Sequence, residues 1–320
     1  MKKVIAITGM AGMIGFHAAK QFAAAGHHVI GFDNFNDYYD VELKKERARI
    51  LRDEHGITVV NADLQDAIMV EKILSGGCDV VLHLAAYANP RHSMEFPHHY
   101  IDTNITGTQR LIEVCEKIGI KHVVYASSSC VMHGQPLPWN ETDRPGHQNN
   151  PYGWSKRANE CQFMHSKITK TTGLRFFTVY GPYGRPDMAL FLFTKGIVNQ
   201  TPIIAYNDGN MKRDFTFVDD IVNGVEIVVN DIVTRESSHE IYNIGYGEKV
   251  DLMHFIEEIE KNVGKKAIIN KLPAHPADVP ETWSDTTKLK ALGYQPTTPI
   301  EVGVKKFYDW YSNYYGVDQQ

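Results

Sequence analysis

The chain has few cysteines and no block of basic residues. Its four cysteines are scattered without metal-ligand spacing, which predicts free, buried thiols in a reducing compartment. Lys and Arg total 33 against 38 Asp and Glu, a formal net charge of −5. This balance gives no reason to expect binding to nucleic acid or to an anionic membrane surface. The cysteines are Cys78, Cys115, Cys130 and Cys161.

Long apolar runs and internal repeats are also missing. No apolar stretch reaches the roughly 20 residues that a membrane-spanning helix needs. The apolar run after Lys2 and Lys3 resembles the start of a signal peptide, but Gly9, Gly12 and Gly15 interrupt it. We therefore expect no targeting segment and a cytoplasmic protein. With 320 residues, 43% of them hydrophobic, the chain has room for one large or two modest domains.

Histidine is abundant, yet its pattern does not predict a metal site. Among the 15 histidines the adjacent pairs at 27–28 and 98–99 are the most conspicuous. Neither pair has a carboxylate or cysteine partner at ligand spacing, so we expect no bound metal.

The N-terminal segment has the pattern of a dinucleotide-binding turn. An apolar, β-branched run over 3–8 predicts a buried strand, and the small residues after it open a helix that ends near Ala25. Gly9, Gly12 and Gly15 lie between and at the start of these elements. Without a Cβ, these positions allow a tight turn and the close approach of a pyrophosphate, which a helix N-terminus attracts.

An acidic residue ends the next predicted strand. The strand over 28–32 runs into Asp33. A carboxylate there accepts hydrogen bonds from a ribose 2′-hydroxyl and repels a 2′-phosphate, which predicts NAD rather than NADP. Three glycines alone would indicate only close packing of a helix on a sheet. The full order of strand, glycines, helix, strand and acid favours a dinucleotide site.

Strands and helices alternate through the first half of the chain, which predicts an α/β fold with a doubly wound parallel sheet, the Rossmann arrangement. We expect residues 1–180 to form the NAD-binding domain with the catalytic residues. Residues 181–320 should form mainly a smaller C-terminal α/β lobe for the substrate, with segments that cross back into the sheet. Predicted helices lie near 41–54, 67–74, 98–118, 152–172, 219–230, 252–263 and 300–314, and predicted strands near 57–61, 80–84, 122–127, 174–178, 215–218 and 241–244.

The catalytic candidates follow the strand over 122–127, which runs into three serines at 127–129. Tyr152 and Lys156 are four residues apart at the start of a helix and therefore share one face. An ammonium beside a phenol should lower the pKa of the Tyr152 hydroxyl toward neutral. With a serine hydroxyl to share the proton, these groups would move a hydride to or from a secondary alcohol. Such a pair is common on any helix, but its place at a strand's carboxyl end favours catalysis.

With these residues assembled, the chain resembles the extended short-chain dehydrogenase/reductase family, the nucleotide-sugar epimerases and dehydratases, over nearly its whole length. Within that family the likeness to UDP-glucuronate 4-epimerases is carried by segments 36–40, 184–189, 209–215 and 278–282. The other matching pieces are Thr8, Gly9, Gly12, Gly15, Asp33, Asn34, Asp63, Leu64, segment 84–86, Asn104, Tyr152, Lys156 and segment 179–182.

The resemblance implies a set of site residues. The catalytic group would be Ser129, Tyr152 and Lys156. NAD would contact Gly9, Gly12, Met13, Ile14, Gly15, Asp33, Asn34, Asp63, Leu64, Leu84, Ala85, Ala86, Asn104, Tyr152, Lys156 and Tyr180. A nucleotide sugar, UDP-linked by the same likeness, would contact Arg91, Ser128, Ser129, Thr178, Arg185, Arg213 and Thr282.

The resemblance also implies a reaction and an assembly. Tyr152, assisted by Ser129, would take the 4-hydroxyl proton while the C4 hydride passes to NAD. The 4-keto sugar would then rotate and receive the hydride on its other face, so NAD is regenerated in each cycle. Relatives dimerise through the helices over 98–118 and 152–172, which implies a homodimer.

Several alternatives stay open. No carboxylate follows Ser129, where sister dehydratases and decarboxylases carry one, so both reactions are disfavoured. Segment 130–133 also departs from the usual epimerase pattern, which leaves the sugar, its C6 group and the nucleotide base undecided. Ser128 is the alternative proton relay, although Gly134 at the family spacing favours Ser129. An NAD-binding sensor or scaffold is the non-enzymatic alternative, disfavoured because Tyr152 and Lys156 are both present.

Overall fold

The computed structural model describes residues 2–317. The strands in this part of the chain are β1 Val4–Thr8, β2 His28–Asp33, β3 Val60–Asn61, β4 Val80–His83, β5 His122–Ser128, β6 Lys170–Phe176, β7 Thr178–Tyr180, β8 Ile203–Tyr206, β9 Lys212–Arg213, β10 Phe215–Phe217, β11 His239–Ile244, β12 Val250–Asp251 and β13 Ile269–Leu272.

The helices alternate with these strands through the first half of the chain. They are α1 Met13–Ala24, α2 Val41–His55, α3 Ala67–Leu74, α4 Pro90–Glu95, α5 Pro97–His99, α6 Thr108–Ile118, α7 Pro151–Met164, α8 Ala189–Val198, α9 Val218–Thr234, α10 Leu252–Val263, α11 Thr287–Lys290 and α12 Ile300–Tyr315. A π-helical segment, Tyr100–Gly107, joins α5 to α6, and a 3₁₀ turn, Ser129–Met132, follows β5.

Seven strands form one parallel sheet in the order β11-β6-β5-β4-β1-β2-β3. The chain winds outward in both directions from β1, whose neighbours are β2 and β4. This reversal of strand order is the place where doubly wound sheets bind ligands, at the carboxyl ends of the strands. The predicted α/β, doubly wound parallel fold is confirmed.

Apolar strands and one-sided helices build a core on each face of this sheet. On one face Ile5 and Ile7 of β1 pack with buried residues of α1 and α9, and on the other Val81 and Val123 pack with residues of α6 and α7. Burial on both faces explains why these strands read as continuous apolar runs. Polar side chains cap the starts of α2, α3, α4 and α7; the Asn150 side chain, for example, accepts a hydrogen bond from Gly153 N at 2.8 Å at the start of α7.

The C-terminal half adds three small two-stranded units, β10 with β7, β12 with β9 and β13 with β8. It also contributes β11, which completes the edge of the main sheet beside β6. The division into a cofactor domain, 1–180, and a substrate lobe, 181–320, stays a prediction.

Several predicted bounds differ from the structure. The helix predicted over 152–172 ends at Met164, and β6 begins at Lys170, because Thr171 and Thr172 lie between β5 and β11 inside the sheet. The strand predicted over 57–61 is reduced to β3. The helix α8 and the pair β8–β13 were not predicted.

The four cysteines are free, and the prediction that they are buried is right for Cys115 but wrong for Cys161, which is exposed on α7. Within residues 2–317 the structure contains no helix that combines the length and apolar character needed to span a membrane.

Candidate active site

A cavity of ≈ 970 Å³ runs along the carboxyl ends of the main-sheet strands and continues beside α8 and β8. Its wall begins at the glycine turn after β1 and ends at segments near Arg213 and Thr282. Every residue predicted to bind cofactor or substrate lines it, with the exception of Asn104.

The glycine turn is close-packed against the strand next to it. Gly9 has φ +70°, and a Cβ there would lie 2.8 Å from the backbone N of Ala85. A Cβ on Gly15 would collide with the carbonyl oxygen of Gly9. Gly12 is the N-cap of α1 and leaves the helix N-terminus open to the cavity. The residues therefore fit a pyrophosphate, which needs backbone N–H groups that it can approach closely.

A buried hydroxyl–imidazole chain holds the loop after β4 against this turn. Thr8 Oγ1 accepts hydrogen bonds from Leu84 N at 3.2 Å and from Ala85 N at 3.1 Å. Its own proton must then be donated to His83 Nδ1, 2.7 Å away, so His83 Nε2 donates to Thr108 Oγ1 at 2.9 Å. Burial lowers the pKa of His83 to about 3, which matches this neutral ring.

Asp33 at the end of β2 is anchored by backbone donors. Its carboxylate accepts hydrogen bonds from Ala11 N at 3.1 Å and from Phe35 N at 2.9 Å. Burial raises the pKa of Asp33, whereas these hydrogen bonds and the charge of Lys44 act in the opposite direction. The side chain thus lies at the cavity wall beside the glycine turn, where an adenosine ribose belongs in such folds.

Lys44 also lines the cavity and was not predicted from the sequence. Its Nζ donates to the backbone oxygen of Asn36 at 2.6 Å and to the side-chain oxygen of the same residue at 2.7 Å. Burial lowers the pKa of Lys44 to about 8, although the nearby Asp33 carboxylate raises it. Helix α2 is rich in charged residues, and the sequence pattern does not show that Lys44 is buried among them.

Tyr152 and Lys156 extend from α7 toward the end of β5. Lys156 is 2% exposed, and its Nζ donates to the carbonyl oxygen of Ala126 at 2.9 Å. Burial lowers the pKa of Lys156 to about 7 and raises the pKa of Tyr152. The predicted lowering of the Tyr152 pKa by Lys156 is therefore wrong for the protein alone, because burial disfavours the charged form of both groups.

The three serines of segment 127–129 point to different partners. The side chain of Ser128 acts to lower the pKa of the Tyr152 phenol. Ser129 opens the 3₁₀ turn and also lines the cavity. Ser127 turns away and donates to Glu160 Oε1 at 2.7 Å. The geometry thus favours Ser128 as the hydroxyl beside the phenol.

Two of the three predicted anion-binding arginines are already paired. Arg185 donates to both carboxylate oxygens of Asp187, at 3.0 and 2.5 Å, and the Nη2 of Arg91 lies 2.6 Å from Asp278. The Nη1 of Arg213, in contrast, donates only to backbone carbonyls, and burial lowers the pKa of this side chain. Of the three, Arg213 has the charge that is least neutralised and best able to meet an anion.

Asp187 connects further cavity residues that were not predicted. Its Oδ2 accepts hydrogen bonds from Tyr38 Oη at 2.7 Å and from Asn89 Nδ2 at 2.8 Å. The charge of Arg185 and these hydrogen bonds hold the pKa of Asp187 well below its usual range despite burial. Three segments distant in sequence therefore meet beside Arg185.

The cofactor role predicted for Asn104 is not supported, since this residue lies behind the wall. Its side chain exchanges two hydrogen bonds of 2.9 Å with the backbone of Tyr87 and donates to Ser155 Oγ at 3.0 Å. Asn104 positions Tyr87, which does line the cavity.

Thr178 and Thr282 both lie on the wall near Asp214. The backbone N of Asp214 donates to Thr282 Oγ1 at 3.2 Å, and the N of Thr178 donates to the carbonyl oxygen of Asp214 at 3.1 Å. These hydrogen bonds fix the Thr282 hydroxyl and the Thr178 backbone beside Asp214.

Outside the cavity, one histidine has carboxylate neighbours at ligand spacing. His254 and Glu258 on α10 approach Glu301 on α12, with ligand atoms within 4.8 Å of one another. Glu258 is already paired with Lys261 Nζ at 2.5 Å. The sequence interpretation considered only adjacent histidines and missed this group.

A doubly wound sheet with a glycine turn, an acid after β2 and a serine–tyrosine–lysine group after β5 defines a dinucleotide-dependent enzyme of the short-chain dehydrogenase/reductase type. Residues 5–245 match the model of the NAD dependent epimerase/dehydratase family, and the chain belongs to that family. The predicted family and the NAD cofactor are confirmed.

Known relatives match almost the whole chain. It is 42% identical to Protein CapI of Staphylococcus aureus, over 97% of this chain and 99% of that protein. It is 39% identical to a probable UDP-glucuronate 4-epimerase of Rhizobium meliloti, over 97% of each chain. The structure of UDP-glucuronic acid 4-epimerase from Bacillus cereus in complex with UDP-glucuronic acid and NAD has a TM-score of 0.89 and 31% identity, over 98% of this chain and 100% of that one.

Proposed function

We propose that this protein is an NAD-dependent 4-epimerase that converts UDP-glucuronate to UDP-galacturonate through a 4-keto intermediate. The observation that carries this proposal is that Ser128, Tyr152 and Lys156 line one cavity, which continues from the glycine turn to Arg213. Similarity to UDP-glucuronate 4-epimerases over nearly the full length supports the substrate.

Tyr152 acts as the base for the 4-hydroxyl group. Ser128 bridges the sugar hydroxyl and the phenol, so the proton passes from the sugar oxygen toward Tyr152 and returns by the same path. NAD, held by the glycine turn, Asp33 and Lys156, would supply the hydride acceptor for C4 and the source of the hydride for the opposite face of the sugar. This assignment replaces Ser129 by Ser128 as the relay, because Ser128 is the serine whose side chain acts on the pKa of the phenol.

Lys156 is assigned to positioning the cofactor and the phenol, and it does not itself exchange a proton with the substrate. Its Nζ is fixed by the carbonyl oxygen of Ala126, which leaves its other N–H groups for a ribose hydroxyl of the cofactor. A pKa of about 7 makes its charge sensitive to what binds next to it. We therefore assign Lys156 to holding the cofactor ribose and to stabilising the phenolate of Tyr152.

The diphosphate is assigned to Arg213, with Arg91 as a second donor that must share its charge with Asp278. The C6 carboxylate is assigned to the hydroxyls of Ser129 and Thr178 and to Arg185, which line the cavity near Tyr152. Because Asp187 already neutralises Arg185, recognition of the carboxylate depends chiefly on neutral donors.

The decisive experiment incubates the purified protein with UDP-glucuronate and, separately, with UDP-glucose and with the GDP and CDP sugars, followed by chromatography of the products. UDP-galacturonate without net NADH supports the proposal. A large yield of UDP-pentose would assign decarboxylation instead. Turnover of neutral sugars alone would keep epimerisation and remove the uronate, and tight NAD binding without turnover would favour a sensor or scaffold.

We also propose a homodimer that forms through α7 and the π-helical segment before α6. Ile101 on that segment and Met164 at the end of α7 are apolar and exposed, at 36% and 47%. Light scattering at several concentrations tests this assembly. A monomer at all concentrations, or a dimer that survives substitution of both residues by Glu, would contradict this interface.

A further inference from the structure

Glu160 is a buried acid on the catalytic helix that the proposed mechanism leaves unused. It lies four residues after Lys156 and eight after Tyr152, so all three side chains share one face of α7. Only 1% of Glu160 is exposed. A buried carboxylate is costly unless it is paired and hydrogen-bonded, so its partners indicate what it does.

The partners of Glu160 lie on the two strands beneath α7. Ser127 Oγ donates to Oε1 at 2.7 Å, and Arg175 donates to Oε1 through Nε at 2.8 Å and to Oε2 through Nη2 at 3.1 Å. Ser127 of β5 and Arg175 of β6 are direct neighbours in the sheet register. Glu160 therefore links α7 to both β5 and β6. Its contact with β5 is at Ser127, the residue before Ser128.

The other end of the same guanidinium holds the turn that follows. Arg175 Nη1 donates to the sulfur of Met132 at 3.1 Å, and Arg175 is itself 3% exposed. Met132 is the fully buried last residue of the 3₁₀ turn that carries Ser129 and Cys130. Burial acts to raise the pKa of Glu160, but the charge and hydrogen bonds of Arg175 hold this pKa below its ordinary value. Glu160 therefore stays ionised and the ion pair persists.

We propose that Glu160 and Arg175 are positioning residues for the proton relay. Together they tie the helix that carries Tyr152, the strand that carries Ser128 and the turn that carries Ser129 into one rigid unit. The inference rests on the proposed epimerase function, since positioning is measured through that reaction.

The expected kinetic signature follows from the role of the relay. Proton transfer requires the serine and phenol oxygens to stay at hydrogen-bond distance, whereas the diphosphate is bound elsewhere, at Arg213. A displacement of about 1 Å costs on the order of 100-fold in rate when reacting groups are misaligned. Loss of the network should therefore lower kcat and leave KM and NAD content nearly unchanged.

Four variants test the proposal. Glu160→Gln keeps the shape and removes the charge, and we expect kcat to fall roughly 10- to 100-fold with KM within about twofold. Ser127→Ala removes one hydrogen bond and leaves the ion pair, so a smaller loss of kcat is expected. Arg175→Lys keeps the positive charge but loses the bidentate contact with Glu160. Its kcat should therefore lie between those of the wild type and Arg175→Met.

Arg157→Gln is the matched control. Arg157 also donates to Glu160, at 2.9 Å, but it is 33% exposed and contacts neither strand through that bond. We expect its kcat to stay within about twofold of wild type. An equal loss in Arg157→Gln and Glu160→Gln would overturn the proposal, because the effect would then follow charge on α7 rather than attachment to the strands.

Folding is checked by thermal unfolding and by the amount of bound NAD. Should Glu160→Gln fail to fold, Ser127→Ala decides, since only one hydrogen bond is lost. The positioning role is overturned if Ser127→Ala and Arg175→Lys fold, bind NAD and keep the wild-type kcat. It is also overturned if the variants change only KM. Either result leaves the proposed function standing. The wild type is assayed first on UDP-glucuronate and UDP-glucose, and its failure on both would instead overturn the proposed function together with this inference.

Discussion

Burial is the strongest influence on the ionisable side chains at the end of β5. It lowers the pKa of Lys156 to about 7 and raises that of Tyr152, while the Ser128 side chain opposes the shift of the phenol. The expected phenolate thus depends on what binds next to these groups and not on the Tyr–Lys spacing alone.

At the residue scale, Tyr152→Phe tests the base. The substitution removes one hydroxyl and keeps the ring, so we expect kcat to fall at least about 100-fold, the lower end of general acid–base contributions. NAD content, measured by absorbance after denaturation, should stay at the wild-type level. Near-full activity would place the base elsewhere.

A matched pair of alanine variants decides which serine relays the proton. Ser128→Ala should lower kcat roughly 10- to 100-fold, because Ser128 is the serine whose side chain acts on the pKa of the Tyr152 phenol. Ser129→Ala should act mainly on KM for the uronate, because Ser129 lines the cavity wall but is not among the groups that shift the pKa of Tyr152. The reverse pattern in steady-state kinetics would restore Ser129 as the relay.

The pKa of Lys156 predicts a pH dependence of stability. A Lys in the unfolded chain titrates near 10.5, whereas Lys156 in the folded protein titrates at about 7. Below both values each state is protonated, and folding carries the full cost of a buried charge. Between them the unfolded state binds more protons, so the free energy of unfolding rises as pH increases.

Between about pH 7 and about pH 9, we expect the free energy of unfolding to rise by about 2 kcal/mol more in the cofactor-free wild type than in Lys156→Met. Urea unfolding at each pH measures this difference. Lys44, with a pKa of about 8, contributes with the same sign in both proteins and cancels from the comparison. Parallel curves for the two proteins would mean that Lys156 is charged in the folded state.

At the scale of elements, the bounds of α3 and α10 follow from the sequence, because their apolar periodicity is local and their ends carry clear signals. The C-terminal end of α7 did not follow. Residues 165–172 include one Ile and three Thr, β-branched residues that favour strand over helix, so the predicted helix extends too far. Pairing with β5 and β11 on either side then stabilises segment 170–176 as a strand.

The glycine turn gives the prediction at this scale. Gly9→Ala adds a Cβ that would lie 2.8 Å from Ala85 N and forces φ +70° on an L residue. We therefore expect this variant to lose both folding stability and NAD affinity. Gly56→Ala is the control, since Gly56 has φ +66° with no atom within 4 Å of an added Cβ.

We expect Gly56→Ala to lose only the conformational cost, about 1–2 kcal/mol of unfolding free energy, with NAD affinity unchanged. Gly9→Ala should lose more stability and bind NAD at least about tenfold more weakly, since 1.4 kcal/mol corresponds to a factor of ten. Equal losses in the two variants, measured by thermal unfolding and fluorescence titration, would show that backbone conformation alone matters.

At the scale of the whole molecule, the cavity is built from segments that the sequence does not bring together. Local motifs predicted Tyr152 and Lys156, with Ser129 as the relay and Ser128 as its alternative, because the end of β5 and the start of α7 carry their own signals. The ion pair of Asp187 with Arg185 and the hydrogen bonds that Asp187 accepts from Tyr38 and Asn89 have no such signal, since the partners lie on three segments. Asn104 shows the converse, a motif residue that the fold places behind the wall.

The charge distribution across the cavity gives the last prediction. Arg91 and Arg185 are paired with aspartates, whereas Arg213 donates only to backbone carbonyls. A diphosphate therefore gains most from Arg213, where no carboxylate must be displaced. A charge-assisted hydrogen bond contributes roughly 1.5–3 kcal/mol, about one to two orders of magnitude in affinity.

Arg213→Met should raise KM for UDP-glucuronate and weaken inhibition by free UDP by this factor, with kcat changed much less. Lys212→Ala is the matched control, because it removes the neighbouring cation, which pairs with Asp251 and does not line the cavity. Equal UDP affinity in wild type and Arg213→Met, measured by calorimetry, would assign the diphosphate to Arg91. In that event Asp278 must leave its partner on binding, and Asp278→Asn should tighten UDP binding rather than weaken it.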